Sequence, residues 1–438
     1  MDSNEWREPA AGMTRRRFVQ TSAALAAAPL LTGLLPQSAP VFAAGSDALR
    51  VGLVGCGGRG TGAAQQALTA DPGVVITALS DVFSDRIDAC HKALSEFSKD
   101  GRVQVPAERR FTGFDGYQRL IGSDVDVVLL CTAPGFRPLH LKAAVAAGKH
   151  VFCEKPVAVD GPGVRSVLES VAAARAKKLT LVSGFCWRYS LAERATMERI
   201  HAGDIGAIRA VYTTYLTGTI GTKPRRPEWS DVEWQLRNWH HFSYFSGDHM
   251  VEQAVHSIDK MAWALKDETP VRAVAVGGRA ARSGAESGNS FDHFSVTYEY
   301  ASGARGFHMC RQIANCPSDN SDLVLGETGV CEFNGWAPRH TITGQKPWRY
   351  KGDSNDMYQQ EHDELFASIR AGRGHNDGVW MAHSTLTAIM ARMAAYTGAT
   401  VTWDAALNST EELLPMELAT RASLTMPAIA VPGVTKFS

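Results

Sequence analysis

Two short stretches of this sequence carry residues able to move a proton and steady a charged oxygen. In "AGKHVFCEKPVAVD" (147–160), Lys155 follows an apolar run and precedes Pro156. Proline disfavours helical geometry in the residue before it, so it holds the lysine in a turn. If the run is a parallel strand, the lysine stands at its carboxyl end, where ligands bind in such sheets. An ammonium there can hydrogen-bond a hydroxyl and stabilise alkoxide charge as hydride departs. In "MVEQAVHSIDKMAWAL" (250–265), Val251, Val255, Ile258, Ala262 and Leu265 recur at helical spacing. His249, Glu252, His256 and Asp259 share another face, three and four residues apart. A carboxylate four residues from a histidine can orient the imidazole as a base. His249, Glu252 and His256 could instead share a metal ion; hydride chemistry on an alcohol needs none, so no metal is expected.

Such chemistry needs a hydride acceptor, and "VGLVGCGGRG" (51–60) offers a seat for one. Gly55, Gly57 and Gly60 fit the G-x-G-x-x-G pattern: a tight turn, a close backbone approach to a pyrophosphate, and close helix–strand packing. "LRVGLVG" before them reads as a buried strand, and "TGAAQQAL" after them as a helix. "GVVITALSD", "DVDVVLLCTAP" and "HVFCE" read as further strands, and "LHLKAAVAAGKH" as a helix closed by Gly148. Strand–helix alternation argues a parallel, doubly wound sheet. Asp81 ends the second strand, where a carboxylate bonds ribose hydroxyls and repels a 2′-phosphate, so NAD is expected over NADP. The residues expected around the cofactor are Gly55, Gly57, Gly58, Arg59, Gly60 and Asp81, then Thr132, Pro134, His140, Glu154 and Lys155.

The glycine fingerprint with Glu154-Lys155-Pro156, and the 250–265 segment, resemble the signatures of the Gfo/Idh/MocA family of glucose–fructose oxidoreductases and inositol dehydrogenases. The likeness covers nearly all of the chain after its first 44 residues. It implies a Rossmann domain joined to an α+β domain with an open, mostly antiparallel sheet, metal-free chemistry, and pairing of subunits through that sheet into a homo-oligomer. The family's helix normally supplies an Asp-x-x-x-His pair beside the lysine. His256 matches the histidine, but Glu252 stands in the aspartate's place.

Past residue 205 the pattern changes. "AIRAVYTTYLT", "VRAVAVGGRA", "HFSVTYEYAS" and "GARGFHMCRQI" alternate as half-buried strands. Between the first two lies "RRPEWSDVEWQLRNWHHFSYFSGDH" (225–249), crowded with Trp229, Trp234, Trp239 and Tyr244. Aromatic rings stack on the C–H faces of sugars, so a carbohydrate or polyol pocket is expected. Its expected substrate contacts are Arg188, Tyr189, Trp239, Tyr244, His249 and Asp259. "HNDGVWMAHSTLTAIMARMAAYTGATVTWDAAL" reads as a long structural helix closed by Gly398.

Lys+Arg and Asp+Glu balance at 45 each, which argues against nucleic acid as a partner. The 8 cysteines show no Cys-x-x-Cys spacing, and several lie in apolar runs, so they read as small core residues. At the N-terminus, Arg15-Arg16-Arg17-Phe18 precedes a short alanine-rich stretch interrupted by Pro29. This resembles a twin-arginine export signal, too short to span a bilayer, with small residues at Ala43-Ala44 for cleavage. The expected division is 1–44 signal peptide, 45–180 NAD-binding domain and 181–438 substrate domain. The mature protein would be periplasmic or otherwise exported, without a membrane span. The expected function is hydride transfer between a sugar, polyol or glycoside hydroxyl and a tightly bound NAD. In it, His256 (held by Glu252) takes the proton and Lys155 steadies the oxygen. Alternatives are a redox-neutral glycoside hydrolase, with Tyr189, His249 or Tyr244 as a further acid/base, and a non-catalytic sugar or NAD sensor.

Overall fold

A computed structural model describes residues 47–415, 418 and 423–436; the expected export signal lies outside them. Fifteen strands among the described residues form two sheets. Six are parallel: β1 (Leu49–Val54), β2 (Val74–Asp81), β3 (Arg110–Thr112), β4 (Val127–Leu130), β5 (His150–Cys153) and β6 (Leu181–Ser183). Their order, β3-β2-β1-β4-β5-β6, is that of a dinucleotide-binding sheet. β1 and β4 are buried along nearly their whole length because helices cover both faces, which explains their unbroken apolar runs. β6 pairs with β5, so this sheet extends to Ser183, past the boundary expected at 180.

The second sheet holds β7 (Ile208–Thr217), β8 (Arg272–Gly278), β9 (His293–Glu299), β10 (Arg305–Gln312), β11 (Ser321–Gly326), β12 (Gly329–Asn334), β13 (Ala337–Gly344), β14 (Trp348–Arg349) and β15 (Val401–Thr402). Their order is β14-β13-β12-β11-β7-β10-β9-β8-β15, antiparallel except where β10 runs beside β7. Burial alternates along these strands, as their sequence alternates: β10 buries Gly306, His308, Cys310 and Gln312 and exposes Met309. The expected fold, a Rossmann domain with an α+β domain on a mostly antiparallel sheet, is the one present.

The helix Gly378–Thr397 lies between the two sheets and closes at Gly398, whose φ of 74° suits glycine. It is buried along most of its length, which is why its sequence shows no clear polar face. One continuous apolar cluster runs from Val128 and Val151 through Ile389 and Met393 to Val296 and Cys331, tying both sheets together. A separate cluster joins the aromatic insertion (Trp234, Phe242, Tyr244, Phe245) to Leu418 and Leu424 from the C-terminal segment. All eight cysteines are free, six of them buried. Among the described residues no helix is long and apolar enough to cross a membrane.

Candidate active site

The carboxyl ends of β1, β2, β4 and β5 open into a cavity of about 640 Å³, which also takes in the aromatic insertion and the 250s segment. That volume is typical of ligand sites. The glycines at its floor have separate reasons. Gly55 has φ +99°, and a Cβ there would stand 2.6 Å from the carbonyl carbon of Cys131. A Cβ on Gly60 would run into the carbonyl oxygen of Gly55. Gly57 has an ordinary backbone (φ −74°), and a Cβ on it or on Gly58 would meet no protein atom within 4 Å. At these two positions the fold leaves room for a side chain, and its absence keeps the cavity clear. The helix Gly58–Ala70 begins here with no acidic residue in its first turn, so its N-terminal partial charge is left for an anion. Asp81 closes the floor: its Oδ2 accepts the Cys56 N–H at 2.8 Å and its Oδ1 that of Phe83 at 3.0 Å.

Arg59 is held by Glu154, by Glu361 at 2.7 Å and by Gln66 at 2.7 Å, and lies over the rings of Phe152 and Tyr358. Arg137, buried at the start of the helix Arg137–Ala146, donates to the carbonyls of Thr132 (2.6 Å) and Pro156. It thereby ties together the turns after β4 and β5, the second of which carries Lys155. The Lys155–Pro156 peptide bond is cis.

Lys155 reaches across to the 250s segment. That segment is two helices, His249–Glu252 and Val255–Ala264, and not the single helix its periodicity predicts. The break frees the Glu252 carbonyl from helical bonding, and Lys155 Nζ donates to it at 2.6 Å and to Glu252 Oε1 at 3.2 Å. An ammonium has three N–H donors, so one remains for a ligand. Burial, the largest single influence, raises the Glu252 carboxyl, but the Lys155 ammonium together with His240 and Arg137 outweighs it and holds the group below its usual value, hence ionised. Glu252 therefore serves Lys155. The expectation that it orients His256 fails because the break abolishes the helical register between them.

His256 lines the same wall, 8% exposed, against Phe185 and Trp187 with ring centroids 6.0 and 5.0 Å away. Its Nδ1 is buried without a hydrogen-bond partner among the described residues. Burial, then the ammonium groups of Lys155 and Lys260, drive its pKa well below the usual 6.5. The site thus combines a fixed ammonium, an ionised carboxylate and a neutral imidazole, a set able to bind a hydroxyl and accept its proton.

Family models match in two consecutive blocks. Residues 49–185 match the oxidoreductase family model with the NAD-binding Rossmann fold, and 194–332 match the GFO/IDH/MocA C-terminal domain. Inositol 2-dehydrogenase 3 of Saccharopolyspora erythraea is 31% identical over 289 residues, covering 64% of this chain and 72% of that protein. The chain belongs to the Gfo/Idh/MocA oxidoreductase family. Inositol 2-dehydrogenase of Serratia proteamaculans is 24% identical over 360 residues, covering 79% and 94% of the two chains. Among solved structures, the fold is shared with aldose-aldose oxidoreductase from Caulobacter crescentus, complexed with glycerol (TM-score 0.63, 21% identity, 81% of this chain and 99% of that one). It is shared too with levoglucosan dehydrogenase in complex with NADH and levoglucosan (TM-score 0.63, 18% identity, 81% and 99%).

As a member of the Gfo/Idh/MocA family the chain is an NAD-dependent oxidoreductase, and its own residues fit that cofactor. The clear space over Gly57 and Gly58, the uncompensated helix start and the Asp81 carboxylate suit a pyrophosphate and a ribose. Of the cofactor residues expected from sequence, Gly55, Gly57, Gly58, Arg59, Gly60, Asp81, Thr132, His140, Glu154 and Lys155 line the cavity. Pro134 does not; it starts a short turn of helix beside it.

The expected substrate residues divide differently. Trp239 lines the cavity, stacked on His240 with centroids 3.6 Å apart. Arg188 and Asp259 lie outside the wall and pair with each other at 2.8 Å; Asp267 joins at 2.5 Å, and the guanidinium lies 4.0 Å over Trp380. Asp259, expected from its helix face to meet substrate, is occupied by the protein's own Arg188. Removing one partner of a buried ion pair costs about 3–5 kcal/mol. Arg188→Ala is therefore expected to lower the stability of the chain by roughly that amount in a denaturant titration, leaving KM little changed in whatever folds. Tyr189 bonds Asp377 at 2.5 Å, Tyr244 bonds Gln235, and His249 packs edge-on against Phe294. None of these three reaches the cavity, so the further acid/base groups of the hydrolytic alternative are absent from its wall.

His240, Gln253, Tyr215 and Trp336 line the cavity without having been singled out in the sequence. His240, beside Trp239 in the aromatic insertion, and Gln253, beside Glu252, carried a legible signal; Tyr215 and Trp336 come from separate elements with no local motif.

Proposed function

We propose that this protein oxidises a secondary alcohol of a polyol, sugar or glycoside with NAD as hydride acceptor. The observation that carries the reading is the shared cavity: the Lys155 ammonium and the neutral His256 ring stand on the wall of the space that opens over Gly57 and Gly58. The named activities of the inositol dehydrogenase relatives support it. NAD, when bound, supplies the hydride acceptor. Lys155 donates its remaining N–H to the substrate oxygen and stabilises developing alkoxide charge; His256 takes the hydroxyl proton; Glu252 holds the Lys155 side chain in place. Trp239 and His240 offer a stacking surface and a hydrogen-bonding ring to the rest of the molecule.

The test is turnover: purified protein with NAD and a panel of inositols, aldoses and glycosides should yield reduced nicotinamide and a ketone or lactone. No reduced nicotinamide on any of them contradicts the reading. Since His256 must be unprotonated to accept a proton, activity is lost as pH falls through its pKa. With that pKa well below 6.5, kcat/KM should stay level through pH 6.5. A base with the ordinary value would lose roughly tenfold by about pH 5.5. A pH–rate profile over this range decides it.

The arginine-rich N-terminus leads us to propose further that the chain is exported, with its cofactor bound beforehand. The open face of the second sheet exposes Tyr212, Val274, Val276 and Met309. On that apolar surface we base a homo-oligomer, checked by light scattering.

A further inference from the structure

Of the aromatic residues on the cavity wall, Trp336 is the one left largely exposed, and the proposed reaction gives it no part. It is the second residue of the tight turn Gly335-Trp336 between β12 and β13, where Asn334 pairs with Ala337. The turn is fixed from two sides. Asn334 Oδ1 accepts the Trp336 N–H at 2.9 Å. Gly335 lies so close to the Trp187 indole that a Cβ on it would be 2.5 Å from Cε2. The Trp336 indole is nonetheless 57% exposed. Large apolar rings are seldom left uncovered on a rigid support, and one that also lines a ligand cavity has a surface ready for a partner at little entropic cost.

Its position says what that partner is. Trp336 meets the buried Trp187 edge-on, centroids 5.4 Å apart and planes at 72°. Trp187 in turn lies 5.0 Å from the His256 ring. Trp336 is thus separated from the proposed proton acceptor by one buried indole, and its exposure puts it at the rim. Because Lys155, His256 and Trp336 line one cavity, a second ring joined to one seated at Lys155 and His256 could stack on the exposed indole without leaving that cavity. Stacking of a C–H face on that indole covers apolar area on both.

We infer that Trp336 is a platform for a second sugar ring, so that the preferred substrate class is a disaccharide or larger glycoside, oxidised on the ring nearer Lys155. The inference rests on the oxidoreductase reading above and adds the substrate's size to it.

The experiment compares kcat/KM for a monosaccharide and for a disaccharide containing it, with the unsubstituted protein, Trp336→Ala and Trp336→Phe, NAD being saturating. The expected result is a disaccharide-to-monosaccharide ratio above one that falls tenfold or more in Trp336→Ala and is largely kept in Trp336→Phe. A ratio unchanged in Trp336→Ala overturns the inference while the oxidoreductase reading stands; this includes a Trp336 that serves only contact with another subunit. Absence of turnover by the unsubstituted protein on every sugar overturns both, and differs from the first failure in the missing activity. Circular dichroism of the two variants, expected to be unchanged for so exposed a residue, guards against misfolding.

Discussion

Lys155→Met is expected to cut kcat by about a thousandfold and to leave NAD bound. General acid–base groups and fixed charges at a developing alkoxide each contribute factors of this order. Methionine keeps the stem and loses only the ammonium, so the wall of the cavity survives. The substitution also strands Glu252, whose carboxylate is ionised because Lys155 faces it, and a buried unpaired charge is costly. Lys155→Met alone should therefore lower stability as well as activity. The double variant Lys155→Met/Glu252→Gln separates the two effects: it should recover most of the stability and none of the turnover. Calorimetric unfolding and steady-state kinetics on the three proteins check this. Were the double variant to regain activity along with stability, Lys155 would be a structural lysine and its part in the chemistry would be refuted.

Gly57→Val is expected to weaken NAD binding by at least a hundredfold with the melting temperature nearly unchanged. The backbone of Gly57 is one any residue adopts, and a Cβ on it meets no protein atom, so nothing in the fold resists the change. What the side chain fills is the space over the helix start, where a pyrophosphate would lie against backbone N–H groups. Gly60→Ala makes the contrast. Its Cβ would strike the Gly55 carbonyl, so stability and cofactor affinity should fall together. Fluorescence titration with NADH and thermal melts distinguish the outcomes. Unchanged affinity in Gly57→Val would mean that the cofactor does not sit at the glycine turn.

The parts of the molecule readable in the sequence are those set by local rules. Strand and helix alternate visibly from Leu49 to Cys153 because each parallel strand is buried on both faces and each helix carries a stripe. The glycines of the turn and Lys155 before Pro156 are legible for the same reason, since their roles depend on their immediate neighbours. The 250s segment shows where this fails. Its spacing identified residues that share a helix face, but a helical wheel does not say what the face meets. Asp259 meets Arg188 from a different element and is consumed in an internal ion pair. Nor does any proline announce the break after Glu252, which becomes useful only through Lys155, nearly a hundred residues earlier in the chain. Arg137, Glu361 and Trp336 were silent for a like reason: each acts across the tertiary structure, and nothing beside it in sequence marks it.

A ternary crystal structure with NADH and a polyol or sugar substrate tests the central claim most directly. The oxygen of the carbon facing the nicotinamide should lie within hydrogen-bonding distance, about 2.7–3.2 Å, of both Lys155 Nζ and a His256 ring nitrogen. A substrate seated away from both groups, or a nicotinamide that enters the cavity on a side remote from Lys155, would contradict it.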